Sequence, residues 1–312
     1  MEIIDYLKAV NGNSANYYSL WDVKNPRAVV QIVTGMSDYI DRYDHFAHFL
    51  NSKKILVIGH DHFGQGKAVK NKTELGNLVP ATDKTDEQPE IVKRTKAVSL
   101  ACKKFYPNLP LIILGHSLGS LVTTELLQTD ASIYDGAILL GIINVPVATK
   151  LFMPLIKSLT PLKNEQALKR INQEAYQVYN QDFDQTNNFG WVTTDPIERK
   201  ILQRDPLVGY DYTIKSWQLI VQLAVNTATN AWLATLPHEF PLLIMSGSLD
   251  PAGGYGLRLS KLNEAIASSK LVNAEAKLCY KMQHELLFDR NHDKVFVQIL
   301  NFINRSITDV RS

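Results

Sequence analysis

The sequence predicts a doubly wound α/β fold: a mostly parallel central sheet with helices on both faces, interrupted by an inserted helical cap. Three observations predict it. Short runs that are apolar on both faces alternate with segments of helical spacing through the first half of the chain. That rhythm breaks after Val145 and resumes at Pro241. The stretch between is helical in spacing, carries aromatic residues and holds no convincing buried strand. Right-handed crossovers then fold consecutive strand–helix units into one parallel sheet covered on both sides.

The elements follow in order. Residues 28–33, a run of Ala28, Val29, Val30, Gln31, Ile32 and Val33 ending in Thr34-Gly35, read as the first buried strand. Residues 38–50 follow as a helix, with Tyr39, Phe46 and Leu50 at helical spacing. Residues 54–59 form the next strand, and 85–106 a helix with Ile91, Val98, Leu100 and Cys102 at its apolar positions. Residues 111–114 are a third core strand, 118–127 a helix and 136–143 a fourth strand. After the interruption come a strand at 241–245, a helix at 257–269 and a strand at 274–280. The closing helix, 294–306, aligns Val295, Phe296, Ile299, Leu300 and Ile303 on one face. Residues 1–146 and 237–312 therefore form the catalytic core, and 147–236 a helical cap over the sheet's carboxyl edge. No internal repeat or low-complexity linker divides the chain.

Composition narrows the function. The 312 residues are 45% hydrophobic and 21% charged, enough to bury a large core. A net charge of +2, from 33 basic and 31 acidic residues, predicts no strong attraction to nucleic acid or anionic membranes. No apolar run is long enough to span a bilayer, and the first residues lack a basic stretch followed by an apolar one, so cytoplasmic residence is the expectation. Cys102 and Cys279 sit in apolar-rich segments outside any CxxC pattern and read as buried free thiols. No HExxH-type spacing, phosphate loop or basic-aromatic patch is present, so neither a metal nor another cofactor is expected.

The chemistry centres on Gly115-His116-Ser117-Leu118-Gly119, directly after one strand and directly before a helix. This is G-x-S-x-G in the strand–turn–helix setting that a nucleophilic serine requires. The turn holds the serine in a strained conformation above the sheet edge, and side chains at the flanking glycines would strike the neighbouring strand and helix. The competing reading is an ordinary β–α turn of a nucleotide-binding fold.

A serine nucleophile needs a base, and the base needs an orienting acid. On such a turn these follow in the chain order serine, acid, histidine. Asp250, in Ser248-Leu249-Asp250-Pro251, lies on the loop after the 241–245 strand, and His284, in Gln283-His284-Glu285, lies just past the 274–280 strand. Both positions are at carboxyl ends of strands, where such sheets bind ligands. Asp61 is the rival acid, and His60 and His62 are candidates to line the pocket. His116 is expected to face away from the hydroxyl. The oxyanion needs two aimed N–H donors. Leu118, which follows the nucleophile, supplies one, and Met36, after Gly35 on the loop behind the first core strand, supplies the other.

At these residues the sequence resembles the monoacylglycerol lipase and lysophospholipase-like α/β-hydrolases, often grouped with the serine aminopeptidases. Besides the serine turn, the resemblance rests on Thr34-Gly35-Met36-Ser37-Asp38-Tyr39 through Arg42-Tyr43 and on Asp61-His62-Phe63-Gly64-Gln65-Gly66. It extends to Asp195-Pro196 with Asp205-Pro206-Leu207 and to the acid loop Asp250-Pro251-Ala252-Gly253-Gly254-Tyr255-Gly256. It covers nearly the whole chain and implies the α/β-hydrolase fold. Thr34 stands where the family usually has histidine, Asp38 where it has glutamate, Phe63 where it has arginine and Gln65 where it has histidine.

The residues and the resemblance together imply a carboxylic-ester hydrolase working through an acyl-enzyme. The cap adds an apolar cluster, Leu151, Phe152, Met153, Leu155, Ile156 and Leu159, and the flat surfaces of Trp191, Trp217 and Trp232. These suit a small hydrophobic ester as substrate, with short-chain esters, monoacylglycerols and lysophospholipids all open. A peptidase or amidase on the same scaffold would require cap carboxylates placed to bind a free amino terminus. A non-catalytic binding protein of this fold is the third reading.

Overall fold

In the computed structural model of the chain, which describes residues 2–10, 17–81, 83, 88–144, 165–183 and 188–309, seven strands form one sheet. They are β1 (Tyr17–Trp21), β2 (Ala28–Val33), β3 (Ile55–Asp61), β4 (Leu111–His116), β5 (Gly136–Leu140), β6 (Leu242–Gly247) and β7 (Ala274–Cys279). Their order across the sheet is β1-β3-β2-β4-β5-β6-β7. β1 runs antiparallel to β3, and every other neighbouring pair is parallel. The predicted mostly parallel sheet is thus borne out.

The helices are α1 (Glu2–Val10), α2 (Asp44–Asn51), α3 (Glu90–Phe105), α4 (Leu118–Asp130), α5 (Glu165–Asn180), α6 (Pro196–Arg204), α7 (Ile214–Thr227), α8 (Leu257–Ala267) and α9 (His292–Asp309). They cover both faces. Along β2, Val29 and Val33 enter a core shared with α1, α3, α4, α7 and α8, while Ala28, Val30 and Ile32 enter one shared with α2 and α9. Every residue of β2, β3, β4, β5 and β6 is buried, so these strands read in the sequence as mainly apolar runs without alternation.

Several boundaries differ from the sequence expectation. Residues 38–43 do not begin an α-helix. Asp38 is spent in the loop after β2, a 3₁₀ turn spans Ile40–Tyr43, and α2 starts only at Asp44. The fourth core strand stops at Leu140 rather than 143. α1 and β1 are additions that the sequence did not reveal: all five residues of β1 are half-buried, so it shows neither alternation nor a continuous apolar run.

Between β5 and β6 the described residues form helices and no strand, as expected. α6 starts where the Asp195 carboxylate accepts the Ile197 N–H at 2.8 Å and Pro196 takes the first turn. α7 lies against α4. The apolar cluster at Leu151, Phe152, Met153, Leu155, Ile156 and Leu159 lies outside the described residues. Cys102 and Cys279 are buried free thiols, and burial pushes both up to about 12. No helix among the described residues is long and apolar enough to cross a membrane.

Candidate active site

Ser117 joins β4 to α4 with φ 52° and ψ −114°. A non-glycine residue at positive φ stores on the order of 1–3 kcal/mol, which the surroundings must offset. They do so through backbone pairing: the Ser117 N–H donates to the Leu140 carbonyl at 2.9 Å, and the Ser117 carbonyl accepts the Ser120 N–H at 2.9 Å. The two glycines are forced by close approach. A Cβ on Gly115 would strike the Gly119 carbonyl, and one on Gly119 would strike the Val33 carbonyl of β2. The turn sets the Ser117 side chain at the N-terminus of α4, where free N–H groups and the helix dipole favour negative charge.

Asp250 and His284 arrive from the loops that follow β6 and β7. Asp250 follows β6 on a tight turn, where its Oδ1 accepts the Ala252 N–H at 2.9 Å. Its Oδ2 lies 2.9 Å from His284 Nδ1, and His284 Nε2 lies 2.8 Å from Ser117 Oγ. All three side chains are buried. With Nδ1–H donating to the carboxylate, the Nε2 lone pair faces the hydroxyl. Burial works against the charged imidazole, but the Asp250 charge and hydrogen bond outweigh it, and the His284 pKa lies above its ordinary value. The Trp191 ring packs against His284 at a tilt of 42°, centroids 4.9 Å apart. The segment carrying Trp191 is bound to the histidine loop: Glu285 N–H donates to the Val192 carbonyl at 2.8 Å, and Gln283 Nε2 to the Gly190 carbonyl at 2.9 Å.

The two expected N–H donors sit beside this row. Leu118 is the first residue of α4, and Met36 follows Gly35 on the loop leaving β2, the strand paired with β4. A Cβ built on Gly35 would stand 3.4 Å from Ser117 Cβ, so the loop passes close to Ser117. Among the described residues neither the Met36 nor the Leu118 N–H has an acceptor. The loop is braced by Asp38, whose Oδ2 accepts the Gly35 N–H at 3.2 Å and the Tyr43 hydroxyl at 2.7 Å. Burial opposes ionisation of Asp38, but Arg42, 2.9 Å away, together with His116 and Tyr43 holds its carboxyl far below the usual range.

Ser117 and His284 open into a cavity of about 330 Å³. Its walls are mostly apolar and include Met36, Phe189, Trp191, Trp217, Ile220 and Ala224. Trp191 and Trp217 therefore reach the cavity, whereas Trp232 is packed into the core between α4 and α8. His116 also lines it, with its Nδ1 turned to Tyr43 at 3.4 Å. The sequence's other candidates lie elsewhere. Asp61 does not face His284; its oxygens accept the Ile40 and Lys67 N–H groups, each at 2.6 Å, and burial pushes its carboxyl up to about 7. His60, within β3, and His62, just after it, are buried and do not line the cavity. Among the described residues no group of three or more His, Cys, Asp or Glu is placed to hold a metal ion.

The sequence model of the family described as serine aminopeptidase, S33, matches residues 24–291. The chain belongs to that family. It is 26% identical over 179 residues to a monoglyceride lipase homolog from Monkeypox virus, covering 55% of this chain and 61% of the viral protein. It is 25% identical over 116 residues to the monoglyceride lipase of Mus musculus, covering 37% of this chain and 35% of that one. The chain thus spans less than two thirds of the length of each of these two relatives. Among solved structures, a thermostable carboxyl esterase from Bacillus coagulans in complex with glycerol superposes with a TM-score of 0.83, at 23% identity over 94% of each chain. A soluble variant of the monoglyceride lipase from Saccharomyces cerevisiae, in complex with a substrate analog, gives 0.69 at 18% identity over 93% of this chain and 91% of that one. The shared architecture is the α/β-hydrolase fold.

Within this S33 frame, three of the positions where the sequence departs from the usual pattern sit around the loop after β2. Asp38 braces the loop as described. The Thr34 backbone carbonyl lies 3.2 Å from His62 Nε2, while the buried Thr34 hydroxyl has no partner among the described residues. Gln65 donates to the Gly35 carbonyl at 2.9 Å. Sequence reasoning missed Glu285 and Arg42. Glu285 lines the cavity next to His284, and Arg42 binds it at 2.6 Å while also reaching Asp38 and Glu198. The adjacency of Glu285 to the histidine was the only signal available for it.

Proposed function

We propose that this chain is a serine hydrolase that cleaves carboxylic esters of hydrophobic, monoacylglycerol-like substrates through an acyl-enzyme. The observation that carries the reading is the unbroken run from Asp250 through His284 to Ser117 Oγ at the edge of an apolar cavity. His284 Nε2 takes the hydroxyl proton as Ser117 Oγ attacks the acyl carbonyl. Asp250 holds the tautomer and balances the charge that forms on the ring. The Met36 and Leu118 N–H groups take the oxyanion. The protonated His284 passes its proton to the departing alcohol. It then deprotonates a water that attacks the acyl-serine, freeing the acid and restoring Ser117.

In the same reading, residues 1–146 and 237–312 are the catalytic core and 147–236 the cap. Trp191 from the α5–α6 segment, with Trp217, Ile220 and Ala224 from α7, gives that cap its share of the cavity wall. Ester cleavage is favoured over aminopeptidase action by the charge of the lining. Among the described residues its sole carboxylate is Glu285, already bound by Arg42, which leaves no free acid to hold a substrate ammonium. Asp195, Glu198 and Asp205 line a separate cavity of about 360 Å³ instead.

The test is a panel of p-nitrophenyl esters of increasing acyl length set beside amino-acid anilides. Ester turnover is expected, with anilides inert, and Ser117→Ala is expected to lower kcat by about 10⁴–10⁶-fold. Anilide turnover exceeding ester turnover, or near-normal activity of Ser117→Ala, would contradict the proposal.

A further inference from the structure

The Met36 N–H belongs to the same trans peptide unit as the Gly35 carbonyl, so the two point in opposite directions. Whatever holds the Gly35 carbonyl therefore aims the Met36 N–H. That group is Gln65, fully buried, whose Nε2 donates to the Gly35 oxygen at 2.9 Å and lies 3.4 Å from the Asp38 carbonyl.

An amide can be turned end for end, and Gln65 would then set its oxygen against two carbonyls. Tyr212 opposes that flip. Its hydroxyl donates to Gln65 Oε1 at 2.8 Å and accepts the Ser37 N–H at 2.5 Å. Ser37 is itself at φ 52°, in the left-handed region, so this bond also holds a strained link directly after Met36. Tyr212 is fixed in turn by Asn172 of α5. The Tyr212 N–H donates to Asn172 Oδ1 at 2.8 Å, and Asn172 Nδ2 donates to the Tyr212 carbonyl at 3.1 Å. The same Oδ1 accepts Trp217 Nε1 at 3.0 Å, and Trp217 lines the cavity.

We propose that Gln65, oriented by the Tyr212 hydroxyl, is the positioning residue that aims the Met36 N–H at the developing oxyanion, tying that donor to the α5–α7 segment. The inference rests on the hydrolase reading above. Neither residue lines the cavity, so neither touches substrate.

Tyr212→Phe removes one hydroxyl, and Gln65→Met removes the amide while keeping similar length. Three quantities are measured for each and for the unaltered chain: kcat and KM on a p-nitrophenyl ester, the Ki of a trifluoromethyl ketone whose adduct carries an oxyanion, and the Kd of the matching non-hydrolysable ether. Loss of one aimed oxyanion donor costs ~10²–10³ in kcat, so a loosened one is expected to cost ~10–100-fold. KM and the ether Kd should stay within about twofold, and the ketone Ki should rise in step with the loss of kcat/KM. The inference is overturned if both variants keep kcat within about threefold while the unaltered chain is active. It is equally overturned if ether binding weakens as much as ketone binding, because the whole pocket has then shifted. An unaltered chain that neither hydrolyses the ester nor binds the ketone would overturn the hydrolase reading and this inference with it.

Discussion

At the scale of single residues, the proposed mechanism makes the hydrogen bond between Asp250 and His284 set both the rate and its pH dependence. Ester attack needs a neutral imidazole, so kcat/KM should rise with pH through the folded pKa of His284, above the ordinary 6.5. Asp250→Asn should lower kcat by about 10⁴-fold and move that inflection down. The same pair affects stability. Because the folded pKa is raised, its contribution is complete below the unfolded value of 6.5 and is lost as pH climbs through the folded value. The Tm gap between the parent chain and Asp250→Asn should accordingly narrow toward alkaline pH. A gap that stays constant from neutral to alkaline pH would mean that the charged imidazole gains nothing from Asp250.

At the scale of elements, the close approach of α4 to β2 fixes the nucleophile turn. Gly119→Ala should push its Cβ into the Val33 carbonyl and cost ~1–3 kcal/mol, with ester turnover falling as Ser117 shifts. Urea unfolding of the variant checks this, and an unchanged midpoint would show that the contact has slack. The same geometry explains why the turn was legible in the sequence: backbone contacts force both glycines, and the buried strand before them is an unbroken apolar run. The acid and histidine candidates were legible because each lies on the loop that leaves a strand's carboxyl end. β1 was not, because an edge strand with five half-buried residues has no periodicity to read. Nor was Tyr212, whose partners Ser37 and Gln65 lie 175 and 147 residues away in the chain, with only tertiary packing to join them. His60 and His62 mislead for a related reason: β3 runs on to Asp61, so His60 lies within the strand, and a place near the sheet's carboxyl edge does not say which way a side chain faces.

At the scale of the whole molecule, the doubly wound sheet gathers Met36, Ser117, Asp250 and His284 at one edge from loops distant in sequence. The segment between β5 and β6 then walls the cavity with Trp191 and α7. On the proposed reading, that wall sets acyl preference. Trp217→Ala should enlarge the cavity and raise kcat/KM for long acyl chains relative to short ones by several-fold, since each added methylene that finds apolar cover gains about 0.8 kcal/mol. An unchanged chain-length profile would place the acyl group elsewhere. The central claim, that Ser117 is a nucleophile activated by His284, is tested most directly by fluorophosphonate labelling followed by mass spectrometry of the digested protein. The expected result is a single phosphonyl adduct on Ser117 in the parent chain and labelling slowed by orders of magnitude in His284→Ala. An adduct on a different residue, or equal labelling of both proteins, would contradict it.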